Sequence, residues 1–242
     1  MKTEDILERL KNDEDYYGDF GKQYLSYSHM SSILKDPEDF QRDYDDTPSA
    51  FVIGGFLHTL VLEPGKIDNY TIVDTSTRNT KVWKEIEDKT NCILLKEAEK
   101  CYQMRDALMI NSDIANVVHG PRNEYEVPGI KEIEGELFKG KADILHPEFI
   151  LDLKTTADIS KFTKSAYIYN YDMQAYVYST IFNRPMSFVA IDKTTRRIGL
   201  FHTSDEFLER GRMKLLEAID IYKTYHKDKK YDFTQFYIEQ TL

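Results

Sequence analysis

The feature that most limits how this chain folds is the stretch from Asn123 to Thr156. Three short apolar segments, about 123–130, 137–145 and 149–155, follow one another there with only a few polar residues between them. Segments of this length, separated by KEIEGE and by His146-Pro147-Glu148, read as strands. Before them the apolar pattern is helical, over roughly 28–35, 49–63, 81–90 and 95–117. Asp36-Pro37, Thr47-Pro48 and Glu63-Pro64-Gly65 mark boundaries, because the residue before a proline is driven out of the helical region. After the strands come a long helix (about 159–182), two more strands (about 186–193 and 196–202) and a last helix (about 204–227). That last helix opens with Thr203 and Ser204 and carries Glu206 near its first turn, a capping signal. The order is helices, then βββ, α, ββ, α, which predicts an α/β fold.

At 242 residues the chain suits one elaborated domain spanning 1–242. Within it, 1–120 is mainly helical, 121–203 holds the sheet and its helix, and 204–242 forms a C-terminal helix and tail. Residues 1–20 are charged and amphipathic, without the apolar stretch of a signal peptide, and no apolar run is long enough to cross a bilayer. A cytoplasmic protein without a membrane partner is expected. Cys92 and Cys101 form neither a zinc knuckle nor an iron–sulfur quartet and read as free thiols. A net charge of -10 argues against a protein that coats nucleic acid through Lys and Arg. It leaves room for a nuclease, since a carboxylate cluster that holds cations is acidic by necessity.

Ionisable residues stand among the apolar ones in the second and third strands. A turn at Pro147-Glu148 places Asp143 opposite Asp152 and Lys141 opposite Lys154, whereas an odd-numbered loop would shift that pairing. Opposed residues have Cβ atoms about 4.5–5.5 Å apart, so two aspartates there can chelate a hard cation. Lys154, two residues beyond Asp152, shares its face. If KEIEGE is a six-residue connection between Ile130 and Leu137, Glu124 faces Asp143. Glu126 then faces Lys141 as an ordinary cross-strand ion pair. By itself His58, inside FVIGGFLHTLVL, reads as a core histidine. Tyr167, Tyr169, Tyr171 and Tyr176 read mainly as packing, although an exposed tyrosine can stack on an unpaired base. The KDKK run at 227–230 reads as a solvated helix end.

These residues carry a resemblance. Asp143 followed by Asp152-Leu153-Lys154 resembles the PD-(D/E)XK nuclease motif, with Ala142 where the family's name has proline. Gln174-Ala-Tyr-Val-Tyr178 is similar to the Gln-x-x-x-Tyr motif of the RecB-type branch, and Gly54-Gly-Phe-Leu-His58 resembles its Gly-x-x-x-His motif. More narrowly, GGFLHTLVLEP, KGKAD, DLKTTAD and YDMQAYVYS resemble the RecE (exonuclease VIII) group of phage and prophage recombination nucleases, over about residues 24–182.

The resemblance implies a restriction-endonuclease-like core, a mixed central sheet flanked by helices, with the N-terminal helices forming one wall of a groove. It implies a Mg²⁺-dependent exodeoxyribonuclease digesting linear double-stranded DNA ends 5′→3′, with Mn²⁺ able to substitute. His58, Glu124, Asp143, Asp152 and the Leu153 carbonyl would hold one or two ions. Lys154 would stay protonated and stabilise charge. Gln174 and Tyr178, one turn apart on a helix, would position the strand. The implied partners are a single-strand annealing recombinase (RecT-like) and further copies of the chain in a ring-shaped homo-oligomer. Two rival readings stand beside this one. The first is another RecB-type nuclease, structure-specific or CRISPR-associated. The second is a non-catalytic DNA-end-binding protein that kept the fold, which the costly Asp, Asp, Lys set disfavours.

Overall fold

The computed structural model describes residues 1–42, 49–237 and 239. The chain enters through two short helices, α1 (Thr3–Leu10) and α2 (Asp13–Tyr17), followed by α3 (Tyr27–Ile33) and the apolar α4 (Ser49–Leu62). A small parallel pair, β1 (Thr71–Val73) and β2 (Cys92–Leu94), brackets α5 (Lys81–Lys84) in sequence. Helices α6 (Leu95–Ile110) and α7 (Ser112–Val118) then lead into the main sheet. Its strands are β3 (Glu124–Ile133), β4 (Glu136–Leu145), β5 (Ile150–Thr156), β6 (Met186–Asp192) and β7 (Ile198–His202), side by side in chain order. Neighbours pair antiparallel except β5 and β6. Parallel pairing demands a crossover, which α8 (Phe162–Ile168) and α9 (Tyr171–Phe182) supply; α10 (Asp205–Tyr222) closes the fold. The expected α/β fold with a mixed sheet flanked by helices is the fold observed.

Two expected helices are divided, each at an asparagine. The Asn111 side chain accepts the Ile114 amide at 3.1 Å and starts α7 afresh. Asn170 adopts a left-handed backbone (φ 56) between α8 and α9. The helix expected over 81–90 shortens to α5, and β1 and β2 were not anticipated, three residues being too few to show a period. Ser204 does cap α10, accepting the Phe207 amide at 3.2 Å. The expected Thr47-Pro48 boundary lies outside the described residues. No helix among the described residues is long and apolar enough to cross a membrane.

The sheet is covered on both faces. On one, Phe56 and Leu57 of α4 and Met104 and Leu108 of α6 pack with Ile144, Leu151, Leu153 and Val189. On the other, α9 packs through Ala175 with Ala142, Ile150 and Phe188, while Met173 and Val177 join Phe138 and Leu215. Close approach of α9 rests on a glycine pair: Gly129 lies opposite Gly140. A Cβ at Gly129 would sit 2.5 Å from Ile181 Cγ2.

The hairpin of β3 and β4 corrects the expected register. Its turn is Glu134-Gly135, with φ of 51 and 80, a two-residue turn of the kind that matches strand twist. Most of KEIEGE is therefore strand, and Ile133 pairs with Glu136. Pairing moves by two residues, so Glu124 faces Leu145 and not Asp143. Near its far end the hairpin also switches faces. Val127 and Ala142 pack on the α9 side, whereas Tyr125 and Ile144 pack on the α4 side. Glu126, between those pairs, has φ 51, a strained conformation for glutamate.

Candidate active site

Three elements bring His58, Glu126 and Asp143 together. Helix α4 carries His58 over β5, where its Nε2 meets the Leu153 carbonyl at 2.6 Å. Asp143, from β4, accepts the Leu153 amide at 2.8 Å through Oδ2. The same Oδ2 lies 3.4 Å from His58 Nδ1. One donor atom each from His58, Glu126 and Asp143 falls within 4.8 Å of the other two. The Leu153 carbonyl only accepts, so His58 Nε2 donates to it and Nδ1 is left facing the Asp143 carboxylate.

The charges favour a shared cation. Burial, and then the neighbouring Asp143, push the Glu126 carboxyl up to about 8, against the opposing pull of Lys141. Two crowded carboxylates and an imidazole form a donor set that suits a divalent cation of the hard or borderline kind. The residues present thus fit the metal that this site type implies.

Asp152 and Lys154 form a second, adjoining group. Asp152 is 2% exposed; its Oδ2 lies 2.6 Å from Lys154 Nζ, and its Oδ1 accepts from Gln174 Nε2 at 2.6 Å. Burial pushes the Asp152 carboxyl up to about 6 even though Lys154 opposes the shift. For Lys154 burial acts downward, but Asp152, Tyr171 and Asp143 outweigh it and keep the ammonium protonated. Its Nζ also lies 4.9 Å from the Tyr171 ring centroid. Tyr178, one turn beyond Gln174, reaches β4: its hydroxyl accepts the Lys141 amide at 3.4 Å. Burial raises that phenol well above its ordinary value.

Of the residues expected from the sequence, His58 and Asp143 meet in the trio, with the Leu153 backbone between them. Asp152, Lys154 and Gln174 make the adjoining group, and Tyr178 bonds instead to the Lys141 amide of β4. Glu124 is exposed and outside both groups, and Glu126 takes the place beside Asp143. The Glu134-Gly135 pair, read as a two-residue turn, was the sequence signal that would have found it. The ladder between β4 and β5 comprises Ile144↔Leu151 and Leu145↔Ile150, as a turn at Pro147-Glu148 requires, and stops before the aspartates. Lys141 therefore does not face Lys154, nor does it ion-pair with Glu126. Its Nζ lies 2.5 Å from Asp13 of α2, which Lys66 also reaches at 3.1 Å.

Comparison with known proteins bears on the same residues. The chain matches, over residues 26–231, the family described as PDDEXK-like domain of unknown function (DUF3799). Among curated proteins no relative is found. The fold is similar to the crystal structure of a candidate exonuclease from Eubacterium rectale, at 17% identity and a TM-score of 0.67, covering 96% of this chain and 95% of that one. A phage-related exonuclease from Haemophilus somnus aligns at 15% identity over 85% of this chain and 96% of its own, with a TM-score of 0.38 that carries no argument. At such identities the structural likeness speaks for the fold alone. With most of its length matched, and with its aspartates and lysine on a five-stranded mixed sheet and its histidine on the helix above it, the chain belongs to this PDDEXK-like family and has its nuclease-type fold.

Proposed function

We propose that the protein is a Mg²⁺-dependent exodeoxyribonuclease that hydrolyses DNA phosphodiesters at linear duplex ends. The observation that carries this reading is the trio of His58, Glu126 and Asp143, with donor atoms within 4.8 Å, set against the buried Asp152–Lys154 pair. When bound, a divalent ion supplies positive charge for the phosphate and a more acidic water. The chain's own residues do the rest. The Leu153 amide fixes Asp143, and the Leu153 carbonyl fixes the His58 ring. Gln174 holds Asp152, which in turn orients Lys154. Lys154, kept protonated, stabilises charge on the phosphate and does not serve as a base. A 5′→3′ direction, a single-strand annealing partner and a ring-shaped homo-oligomer follow from the RecE resemblance of GGFLHTLVLEP, KGKAD and DLKTTAD.

Digestion of linear duplex DNA labelled separately at its 5′ and 3′ ends tests the proposal, with Mg²⁺ or EDTA, using the wild type and Lys154→Ala. Metal-dependent release of 5′-end nucleotides that the variant loses supports it. Release from the 3′ end overturns the direction. DNA that is bound at its ends yet stays intact under every metal tried overturns the enzyme in favour of an end-binding protein.

A further inference from the structure

Aromatic side chains lead from Lys154 to the protein surface. The Tyr171 ring, 4.9 Å from Lys154 Nζ, packs against Phe188 at 5.6 Å and against Tyr169 at 5.9 Å. Tyr169 is 57% exposed, and Ile168 beside it is 59% exposed. Single exposed apolar residues are ordinary. Tyr169 differs in how firmly its turn is held. Its carbonyl accepts from the Tyr27 hydroxyl at 2.5 Å, and its amide donates to the Ser165 carbonyl at 2.9 Å. The next residue, left-handed Asn170, accepts from Lys214 Nζ at 2.8 Å and donates to Ser31 Oγ at 3.1 Å. Lys214 also reaches the Tyr167 carbonyl at 3.1 Å and the fully buried Asp172 carboxylate at 2.9 Å. Helices α3, α8, α9 and α10 thus all anchor a turn whose aromatic ring is left in water.

We infer that Tyr169 stacks on the base of an unpaired nucleotide whose phosphate is held at Lys154. This rests on the nuclease reading above and extends it to the form of the substrate. Tyr171 links the two groups: its ring lies 4.9 Å from Lys154 Nζ and 5.9 Å from the Tyr169 ring, so a nucleotide held at Lys154 would have the Tyr169 ring one aromatic neighbour away. A rigid aromatic loses little entropy on stacking, and every base offers a π-face, so such a contact suits an enzyme that must accept all four bases. Inside a duplex both faces of a base are already stacked. The terminal base of a blunt end has one open face but is held by its pair, whereas a frayed or single-stranded base is free to turn onto the ring, so Tyr169 favours such termini.

The test uses oligonucleotides with 2-aminopurine at the terminal position, whose emission is quenched on stacking, bound in EDTA to the wild type, Tyr169→Ala, Tyr169→Phe and Tyr169→Trp. Stacking predicts quenching by the wild type and the aromatic variants. Tyr169→Ala should lose the quenching and bind about tenfold more weakly. In Mg²⁺ its KM for single-stranded or forked ends should rise by a similar factor with kcat little changed, while fully paired blunt ends are cut as by the wild type. An oligonucleotide with an abasic terminal nucleotide should bind the wild type and Tyr169→Ala alike. Equal quenching by wild type and Tyr169→Ala, an affinity loss that persists on the abasic strand, or no binding of any oligonucleotide overturns the assignment. Quenching that depends on Tyr169 without any cleavage would remove the nuclease reading and leave the stacking contact. Cleavage by the wild type that Tyr169→Ala matches on every substrate would do the reverse.

Discussion

Asp143 reaches from β4 to accept the Leu153 amide of β5 at 2.8 Å, standing in for a ladder carbonyl where the two strands part. The bond gives this side chain a structural task beside its place in the metal trio, and the two tasks can be separated. Asp143→Asn keeps an acceptor for the amide and should melt close to the wild type, whereas Asp143→Ala leaves a buried amide unpaired and should lose about 1–3 kcal/mol. Both should cut DNA at least about a hundredfold more slowly. Thermal melts and single-turnover cleavage of the two variants check this; an active Asp143→Asn would remove Asp143 from the metal site.

Glu126, rather than Glu124, is expected to matter for metal. Glu126→Gln should weaken Mg²⁺ or Mn²⁺ binding by at least about tenfold. Glu124→Gln, changing an exposed side chain that faces Leu145, should bind metal as the wild type does. Isothermal titration of both variants decides, and the opposite ranking would restore the register expected from the sequence.

Stability without metal should fall as pH rises. Burial pushes Glu126 up to about 8 and Asp152 up to about 6, both above their ordinary values of 4.5 and 3.8. A carboxyl raised in the folded state stabilises while protonated, so its contribution is complete below the ordinary value and is lost as pH climbs through the folded one. In EDTA the Tm should therefore decline between about pH 4 and pH 8, and Glu126→Gln should flatten the upper part of that decline. Metal ligands must be deprotonated, so the increment in Tm given by Mg²⁺ should grow over the same window. An increment that shrinks toward pH 8 would contradict this.

Two glycines should respond in opposite directions to alanine. At Gly211 in α10 a Cβ would lie 2.1 Å from the Asp172 carbonyl oxygen, which is backbone and cannot yield cheaply. Gly211→Ala should cost about 1–3 kcal/mol or more. Gly54, one turn before His58 in α4, has nothing within 4 Å of an added Cβ. Gly54→Ala should gain about 0.5–1 kcal/mol, because glycine is a poor helix former. Chemical denaturation of each variant measures both.

Much of this arrangement is local and could be read from the chain. The β4–β5 connection at Pro147-Glu148 gave Ile144↔Leu151 as expected, because a short turn fixes the pairs beside it. Asp143, Asp152 and Lys154 stood out as ionisable residues on apolar strands, whereas His58 and Gln174 entered only through the resemblance of their motifs. The hairpin before them was misjudged for a specific reason. A shift of two residues leaves every side chain on its own face, so alternation of apolar and polar residues accepts either register. Glu124 and Glu126 were therefore equivalent until the Glu134-Gly135 turn chose between them.

By itself, then, the sequence determined the order of the five main-sheet strands and of the helices around them, since periodicity and turns are properties of neighbouring residues, and its motif order carried the resemblance that implied a mixed sheet. Tertiary structure decided how the side chains of the site are divided. The face switch at Glu126 and the parting of β4 from β5 send Asp143 to His58 and leave Asp152 to Lys154 and Gln174. Lys141 finds Asp13, 128 residues away in sequence, and the backbone carbonyl of Tyr169 is held by the Tyr27 hydroxyl of α3, which also lies far off along the chain. Such contacts arise from packing between distant segments, and no local pattern encodes them.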